Sequence, residues 1–335
     1  MARKYVIGVD GGNSKTDYFL FDRDGGYVDH WHTGTCSHEQ FTDGFAGASR
    51  EMTAKLNGIM KRNGLSIADV EAAAFGLAGA DLPSQKERLG QIVEQIGIRR
   101  YALDNDSFLG IKAGCESGVG VCSINGSGTV TGGISPSGRR LQVGGVGELS
   151  GDEAGGFYLG RRVLRAVYDA WFRMGPKTEM TEPVMRLLGI PSPERYLEFA
   201  AERTYSRTLP NTELMRILFG AADRGDEAAA AIIGHTAKQL AQSTAGCING
   251  LDFGDEVDVI LAGSVWLKAE SPLLFDRYRE EVAKLIDRDC RYRQLEVPPA
   301  TGGVLWALEL AWGRPVDSAT RTQVIASVKE QLAKR

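Results

Sequence analysis

The sequence predicts an α/β protein built in two halves, each a mixed sheet that begins with a β-meander and is flanked by helices, with a cleft between them. Three observations carry this. A strand–turn–strand–turn–strand pattern with glycine in its first turn opens at residue 6 and recurs at residue 121. After each copy, apolar strands alternate with helical patterns. The 335 residues also exceed what one ordinary core fills. Residues 1–117 with a returning helix at about 316–335 are expected to form the first domain, and 118–315 the second, with a helical insertion at about 174–226. A composition of 43% hydrophobic and 24% charged residues is that of a soluble globular protein. The formal charge of −4 supplies no basic field, so neither nucleic acid nor an anionic membrane is expected as a partner. No apolar run approaches the ~20 residues of a membrane helix. The opening "MARKYVIGVDGG" enters an apolar strand directly, and the five cysteines are scattered without CxxC. Both features lead us to expect reduced thiols and a cytoplasmic location.

The elements follow in order. In "VIGVDGGNSKTDYFLF" the apolar run after the glycines is aromatic and alternating, so the loop joins two strands rather than opening a helix. Neither GxxxxGK[ST] nor GxGxxG before a helix is present. Such a tight turn makes a nest of backbone N–H donors suited to phosphate, or it is an ordinary glycine hairpin. Gly11 and Gly12 permit close approach, Asn13, Ser14 and Thr16 add donors, Lys15 a cation, and Asp10 a carboxylate at the strand end. Phe41, Phe45, Met52, Leu56 and Ile59 recur at helical spacing over about 40–62. Residues 70–81 read as a buried strand running into a glycine loop, followed by a helix closed by Gly97. A short strand, the acidic loop "LDNDS" and a helix precede the second meander, whose turn is Gly126-Ser127-Gly128-Thr129. A glycine loop at 144–156 feeds a long helix. The stretch 174–226 is helical, polar and proline-bearing, and a long helix of small residues follows. "EVDVILAGSVW" is a strand ending in the turn Gly263-Ser264. The alternating charge signs at 277–293 suggest a solvated helix face, and two helices near 302–313 and 319–333 close the chain.

Phosphoryl transfer needs shielded phosphates, an in-line acceptor and a carboxylate for the acceptor's proton. Asp10 lies beside the first hairpin. Asp104 and Asp106 end a strand and open a helix, where a carboxylate equally serves as an N-cap. In "GGVGELSGDEAGG" the vicinal Asp152 and Glu153 among glycines suit adjacent sugar hydroxyls, while Asp152 also suits an N-cap.

Two hairpins placed to grip one nucleotide resemble the superfamily that joins sugar kinases, Hsp70 chaperones and actin. Five segments in register, "GVDGGNSKTD", "NDS", "NGSGT", "GGVG…GDEAGG" and "LAGSVW", resemble the N-acetylglucosamine kinase-like branch of the BadF/BadG/BcrA/BcrD ATPase family. The resemblance implies two ribonuclease H-like, actin-like ATPase domains. It also implies ATP and Mg2+ as cofactors and transfer to the 6-hydroxyl of an amino sugar, first N-acetylglucosamine and second glucosamine. On it, Asp10 positions the metal through water and Gly12 to Thr16 hold phosphates. Asp106, preceded by Asn105, is the base. Gly126 to Thr129 form the second phosphate hairpin, and Gly263-Ser264 lies beneath the adenosine. Ser37, His38, Gly79, Asn105, Gly145, Val146, Asp152 and Glu153 belong to the sugar side, and a homodimer is expected. Val146 stands where the family has Trp, and Ser37-His38 where it has Asn-His.

His30, His32, Cys36 and His38 offer soft ligands for zinc, but without a second cluster they read as strand and loop residues. The CxCGxxGC zinc run of ROK kinases is absent, as is a cysteine pattern for an iron–sulfur cluster. A nucleotide-driven regulator without a phosphoryl acceptor is the rival class.

Overall fold

The structure, a computed structural model, describes residues 4–334. Its first sheet joins β1 (Tyr5–Gly11), β2 (Lys15–Asp22), β3 (Tyr27–Gly34), β4 (Val70–Leu77) and β5 (Tyr101–Asp104) in the order β3-β2-β1-β4-β5. The meander strands are antiparallel; β4 and β5 run parallel to β1. The second sheet joins β6 (Gly120–Asn125), β7 (Thr129–Ile134), β8 (Arg140–Gly144), β9 (Glu256–Ala262) and β10 (Asp289–Gln294). Its order, β8-β7-β6-β9-β10, repeats the first plan strand for strand, including the change from antiparallel to parallel. The two-sheet α/β architecture expected from the paired meanders is therefore present.

Helices α1 (Phe45–Arg62) and α2 (Pro83–Ile96) cover the outer face of sheet one, with Met52, Leu56 and Val93 against Ile7, Val9 and Leu20. Proline at its first turn starts α2, and Gly97, left-handed at φ 105°, stops it. Helix α3 (Ser107–Gly114) lies between the sheets. Helix α4 (Gly155–Phe172) leaves the glycine loop after β8. The segment 174–226 forms α5 (Thr181–Leu188), α6 (Tyr196–Tyr205) and α7 (Asn211–Asp223). Val184, Tyr196, Leu214 and Leu218 are fully buried in one core with α4 and with α8 (Glu227–Gly250), so the insertion is built into the second half. Asp226 caps α8 by accepting the Ala229 N–H at 2.8 Å. After β9 come α9 (Ser264–Lys268), α10 (Leu273–Ala283), α11 (Ala300–Trp312) and α12 (Ser318–Ala333). Among the described residues no helix is long and apolar enough to cross a membrane.

Two expectations need correction. The stretch 277–293 is not one solvated helix. Tyr278 of α10 is fully buried, and from Asp289 the chain is an edge strand parallel to β9 whose Arg291 pairs with Asp258 at 3.0 Å. The alternating charges are those of a half-exposed edge strand, where charge guards against further pairing. The return to sheet one also begins earlier than 316. Helix α11 lies on β1 so closely that a Cβ on Gly8 would come within 2.4 Å of the Ala300 carbonyl oxygen and the Val304 nitrogen. A Cβ on Gly302 would meet the Leu109 carbonyl of α3 at 2.0 Å. Backbone on backbone cannot yield as a side-chain tip can. Gly8→Ala is therefore expected to destabilise the fold by about 1–3 kcal/mol, read as a lower urea midpoint at unchanged slope.

Candidate active site

Each sheet presents a hairpin at the edge of one cleft of about 770 Å3. In the first, the Gly12 N–H donates to the Lys15 carbonyl at 2.9 Å, and the Thr35 hydroxyl donates to the Gly12 carbonyl at 2.7 Å. Gly12, Asn13, Ser14 and Lys15 line the cleft. Gly11 and Thr16 support it from behind: a Cβ on Gly11 would strike Leu77 and Cys36, and the buried Thr16 hydroxyl accepts the Cys36 N–H at 2.9 Å. In the second, the Gly126 N–H donates to the Gly128 carbonyl at 2.9 Å. The first turn of α4 then grips this hairpin from outside. The N–H groups of Gly155, Gly156 and Phe157 donate to Asn125 Oδ1 and to the carbonyls of Gly126 and Ser127, at 2.8, 2.8 and 3.0 Å. These helix-end donors would otherwise lack partners. Gly155, at φ 80°, passes so near Gly128 that a Cβ would lie 2.7 Å from its backbone. Gly263, at φ 99°, packs as tightly under Asn125 and Gly126. The hairpin tips meet: Ser14 Oγ lies 3.2 Å from Ser127 Oγ.

Among the carboxylates that line the cleft are Asp10, Asp81 and Asp106. Asp106 occupies the N-cap position of α3 yet makes no side-chain capping bond. The Asn105 amide oxygen instead accepts the Ser107 N–H at 2.9 Å, which leaves the Asp106 carboxylate uncommitted to capping. Burial first, and then the charge of Asp81, push Asp106 up to about 7. Burial, followed by the charges of Asp106 and Asp17, holds Asp10 well above the usual carboxylate range. Asp104 is committed elsewhere, paired with Lys86 at 2.5 Å and Arg140 at 2.9 Å. Asp81 is the residue that sequence reasoning missed. Its Oδ1 accepts Asn105 Nδ2 at 2.8 Å and Gln142 Nε2 at 2.7 Å, so it joins both halves, and burial above all raises it to about 6. The only signal was its place directly after the glycine turn "LAGAD".

The 144–156 loop is organised by Asp152. Its Oδ2 accepts the N–H groups of Gly145 at 2.9 Å and Gly147 at 2.6 Å and the Ser150 hydroxyl at 3.0 Å. It thus ties the loop rather than capping α4, whose N-cap is Ala154. Gly145, Gly147 and Asp152 line the cleft, as do Gly79 and Asn105. Glu153 is bound to the Tyr158 hydroxyl at 2.7 Å and to His235 Nε2 at 2.6 Å. Val146 is 41% exposed, its N–H donating to Ser150 Oγ. Ser37 and His38 lie behind the Ala78-Gly79 turn. Ser37 Oγ donates to the Ala78 carbonyl at 3.4 Å, and the His38 ring stacks on Phe45 at 4.0 Å. A Cβ on Gly79 would meet that ring at 2.6 Å. Cleft residues not foreseen include Glu39, Phe157, Arg161 and Lys268. A second cavity of about 640 Å3 adjoins the Gly126–Ser127 turn and Ser264, and extends to Asn211, Met215 and Phe219 of α7.

Twin five-stranded sheets of one topology, each offering a glycine hairpin to a shared cleft, define an actin-like ATPase fold of the sugar-kinase kind. The chain belongs to the BadF/BadG/BcrA/BcrD ATPase family, whose model matches residues 7–307. It is 24% identical over 289 residues to an N-acetylmuramic acid/N-acetylglucosamine kinase of Clostridium acetobutylicum, covering 83% of this chain and 90% of that one. It is 26% identical over 277 residues to an N-acetyl-D-glucosamine kinase of Dictyostelium discoideum, covering 78% and 86%. Among solved structures, a candidate N-acetylglucosamine kinase from Chromobacterium violaceum superposes with a TM-score of 0.64 at 22% identity, covering 93% of this chain and all of that one. A ROK family glucokinase from Streptomyces griseus gives 0.55 at 17% identity, covering 92% and 99%.

The electrostatics are checkable without any ligand. Followed by carboxyl carbon NMR, Asp106 is expected to titrate near pH 7. Asp81→Asn removes the neighbouring negative charge and should move that midpoint to lower pH; an unmoved midpoint would detach Asp81 from the cluster.

Proposed function

We propose that this protein is an ATP-dependent amino-sugar kinase that phosphorylates the 6-hydroxyl of its acceptor, N-acetylglucosamine first. The observation that carries the reading is the meeting of the two hairpin tips over a cleft whose floor holds an uncapped Asp106. The activities of the Clostridium and Dictyostelium relatives support it.

Gly12 to Lys15 and Gly126 to Thr129 would hold the phosphates through backbone and hydroxyl donors, with Lys15 adding charge. Gly263-Ser264 and the second cavity would take the adenosine. Asp10 is an oxygen donor whose charge is disfavoured by burial and by the acidic Asp106 and Asp17, and this fits magnesium, because a cation there would offset that repulsion and favour the ionised carboxylate. Bound with the nucleotide, it would neutralise phosphate charge. Gly79, Asn105, Gly145 and Asp152 would orient the sugar, and Asp106 would accept the 6-hydroxyl proton. Exclusion of water by cleft closure favours the sugar over hydrolysis. Glucosamine is the first alternative acceptor. An amino sugar bearing a carboxylate is favoured by one observation, the cation Arg161 lining the cleft, where its only ion pair among the described residues is a loose one of 3.8 Å to the exposed Glu148.

A coupled ADP assay across N-acetylglucosamine, N-acetylmuramic acid, glucosamine and glucose tests the reading. ADP release is expected to accelerate with N-acetylglucosamine, and sugar-independent hydrolysis at the full rate would favour the regulator class. Asp106→Asn should cut turnover by about 10²–10⁴ while nucleotide binding stays nearly intact. Because a base works only when ionised, and Asp106 is raised to about 7, kcat/KM for the sugar should climb as pH rises through neutrality. That climb should vanish in the asparagine variant.

A further inference from the structure

At the base of the first hairpin, on the face of sheet one that carries Asp10, three donors converge. Asp17 stands directly across from Asp10 on β2 and directly across from His32 on β3. His30 lies two residues along β3, so strand alternation puts it on the same face. Asp17 Oδ1 is 2.8 Å from His30 Nε2 and 2.7 Å from His32 Nδ1, and one ligand atom from each residue falls within 4.8 Å of the others. Asp17 and His30 have side chains only 4% exposed, whereas His32 is 49% exposed and opens the group to solvent. The His30 ring is held by stacking on Phe19 at 4.3 Å, and Lys15 lies 3.4 Å from Asp17 Oδ2.

We propose that Asp17, His30 and His32 form a site for one divalent ion of the zinc class, clipping β3 to β2 behind the first hairpin. Two imidazoles and one carboxylate, with a fourth position open toward solvent, are a donor set that zinc accepts and magnesium, which demands oxygens, does not. An alternating His-x-His pair on one strand and an acid opposite it place three donors on one side of a prospective ion, which cross-strand spacing permits. Zinc–ligand lengths near ~2.1 Å ask the carboxylate to withdraw from the two rings by roughly half an ångström. Rotation about the Asp17 side chain supplies that. Cys36 and His38, the other soft ligands in this stretch, take no part. Cys36 is buried beside Gly11, and His38 is stacked on Phe45. The inference does not rest on the kinase reading, since the ion belongs to the sheet and not to the reaction.

The test uses full-length protein without a histidine tag, stripped with chelator and titrated with Zn2+ against a chromophoric competitor, then with Co2+. One Zn2+ per chain is expected, with visible Co2+ bands of low coordination number, undiminished by excess Mg2+. His32→Ala, which removes the exposed ligand, should weaken binding about tenfold or more, and Asp17→Asn likewise. Added Zn2+ should raise the melting temperature of the wild type and not of either variant. Absence of binding, or binding unchanged in His32→Ala, would overturn the site, the latter by placing the ion elsewhere. Should Asp17→Asn fail to fold, His32→Ala still decides.

Discussion

Three largely buried carboxylates gathered at one cleft set the terms for everything around them. Asp10, Asp81 and Asp106 each ionise reluctantly because burial withdraws water and each has an acidic neighbour. A cleft of that sign would repel a polyphosphate, so acids and phosphate donors have to be separated in space. The fold does this by drawing them from different elements. Asp10 lies near the end of β1, Asp81 in the loop after β4 and Asp106 at the start of α3, while Lys15 belongs to the first hairpin and Lys268 to α9. A hydroxyl and a cation suit the acids; anions suit the lysines.

Duplication supplies the two tips, and a single substitution of type makes them unequal. The residue before the first glycine turn is Asp10; its counterpart at the end of β6 is Asn125. Asn125 is buried and structural, its amide oxygen tying down the first N–H of α4. The second hairpin is therefore neutral and braced by a helix. The first is charged and braced by a loop, through Thr35 and Cys36. One sheet plan thus yields a donor cradle on one side and a donor cradle with an acid on the other.

Both meanders, the glycine hairpins and the helix that starts at Asp106 were legible in the sequence because each is a local pattern: alternation, turn chemistry, periodicity. What escaped depends on distant partners. Asp81 looks like the tail of a glycine loop until Gln142, from the other sheet, is seen bonding to it. Asp17 is one polar residue in an apolar strand until β3 folds back and sets both histidines against it. Strand β10 carries "DCRYRQ", whose charges mimic a helix surface because an edge strand exposes much of what it has. Glu153 reads as half of a sugar-binding pair, yet His235, far along the chain, claims it. Periodicity cannot report a contact whose two ends lie that far apart.

The same long-range packing bears on how the cleft can move. Asp106 and Ser107 are wedged between the sheets. A Cβ on Gly76 of β4 would reach the Asp106 backbone at 2.9 Å, and one on Gly132 of β7 would reach Ser107 Oγ at 2.3 Å. Phe108 and Ile111 then enter a core shared with Val304 and Leu308 of α11 and with Cys122 and Ile260 of the second sheet. Such close-packed contacts resist sliding, so the start of α3 is anchored to both halves at once. A rotation of one half against the other would pivot near this point, where displacement is smallest. On the proposed kinase reading, the Asp106 carboxylate on the pivot would keep its place while the two halves move about it, as the positioning of an acceptor hydroxyl requires.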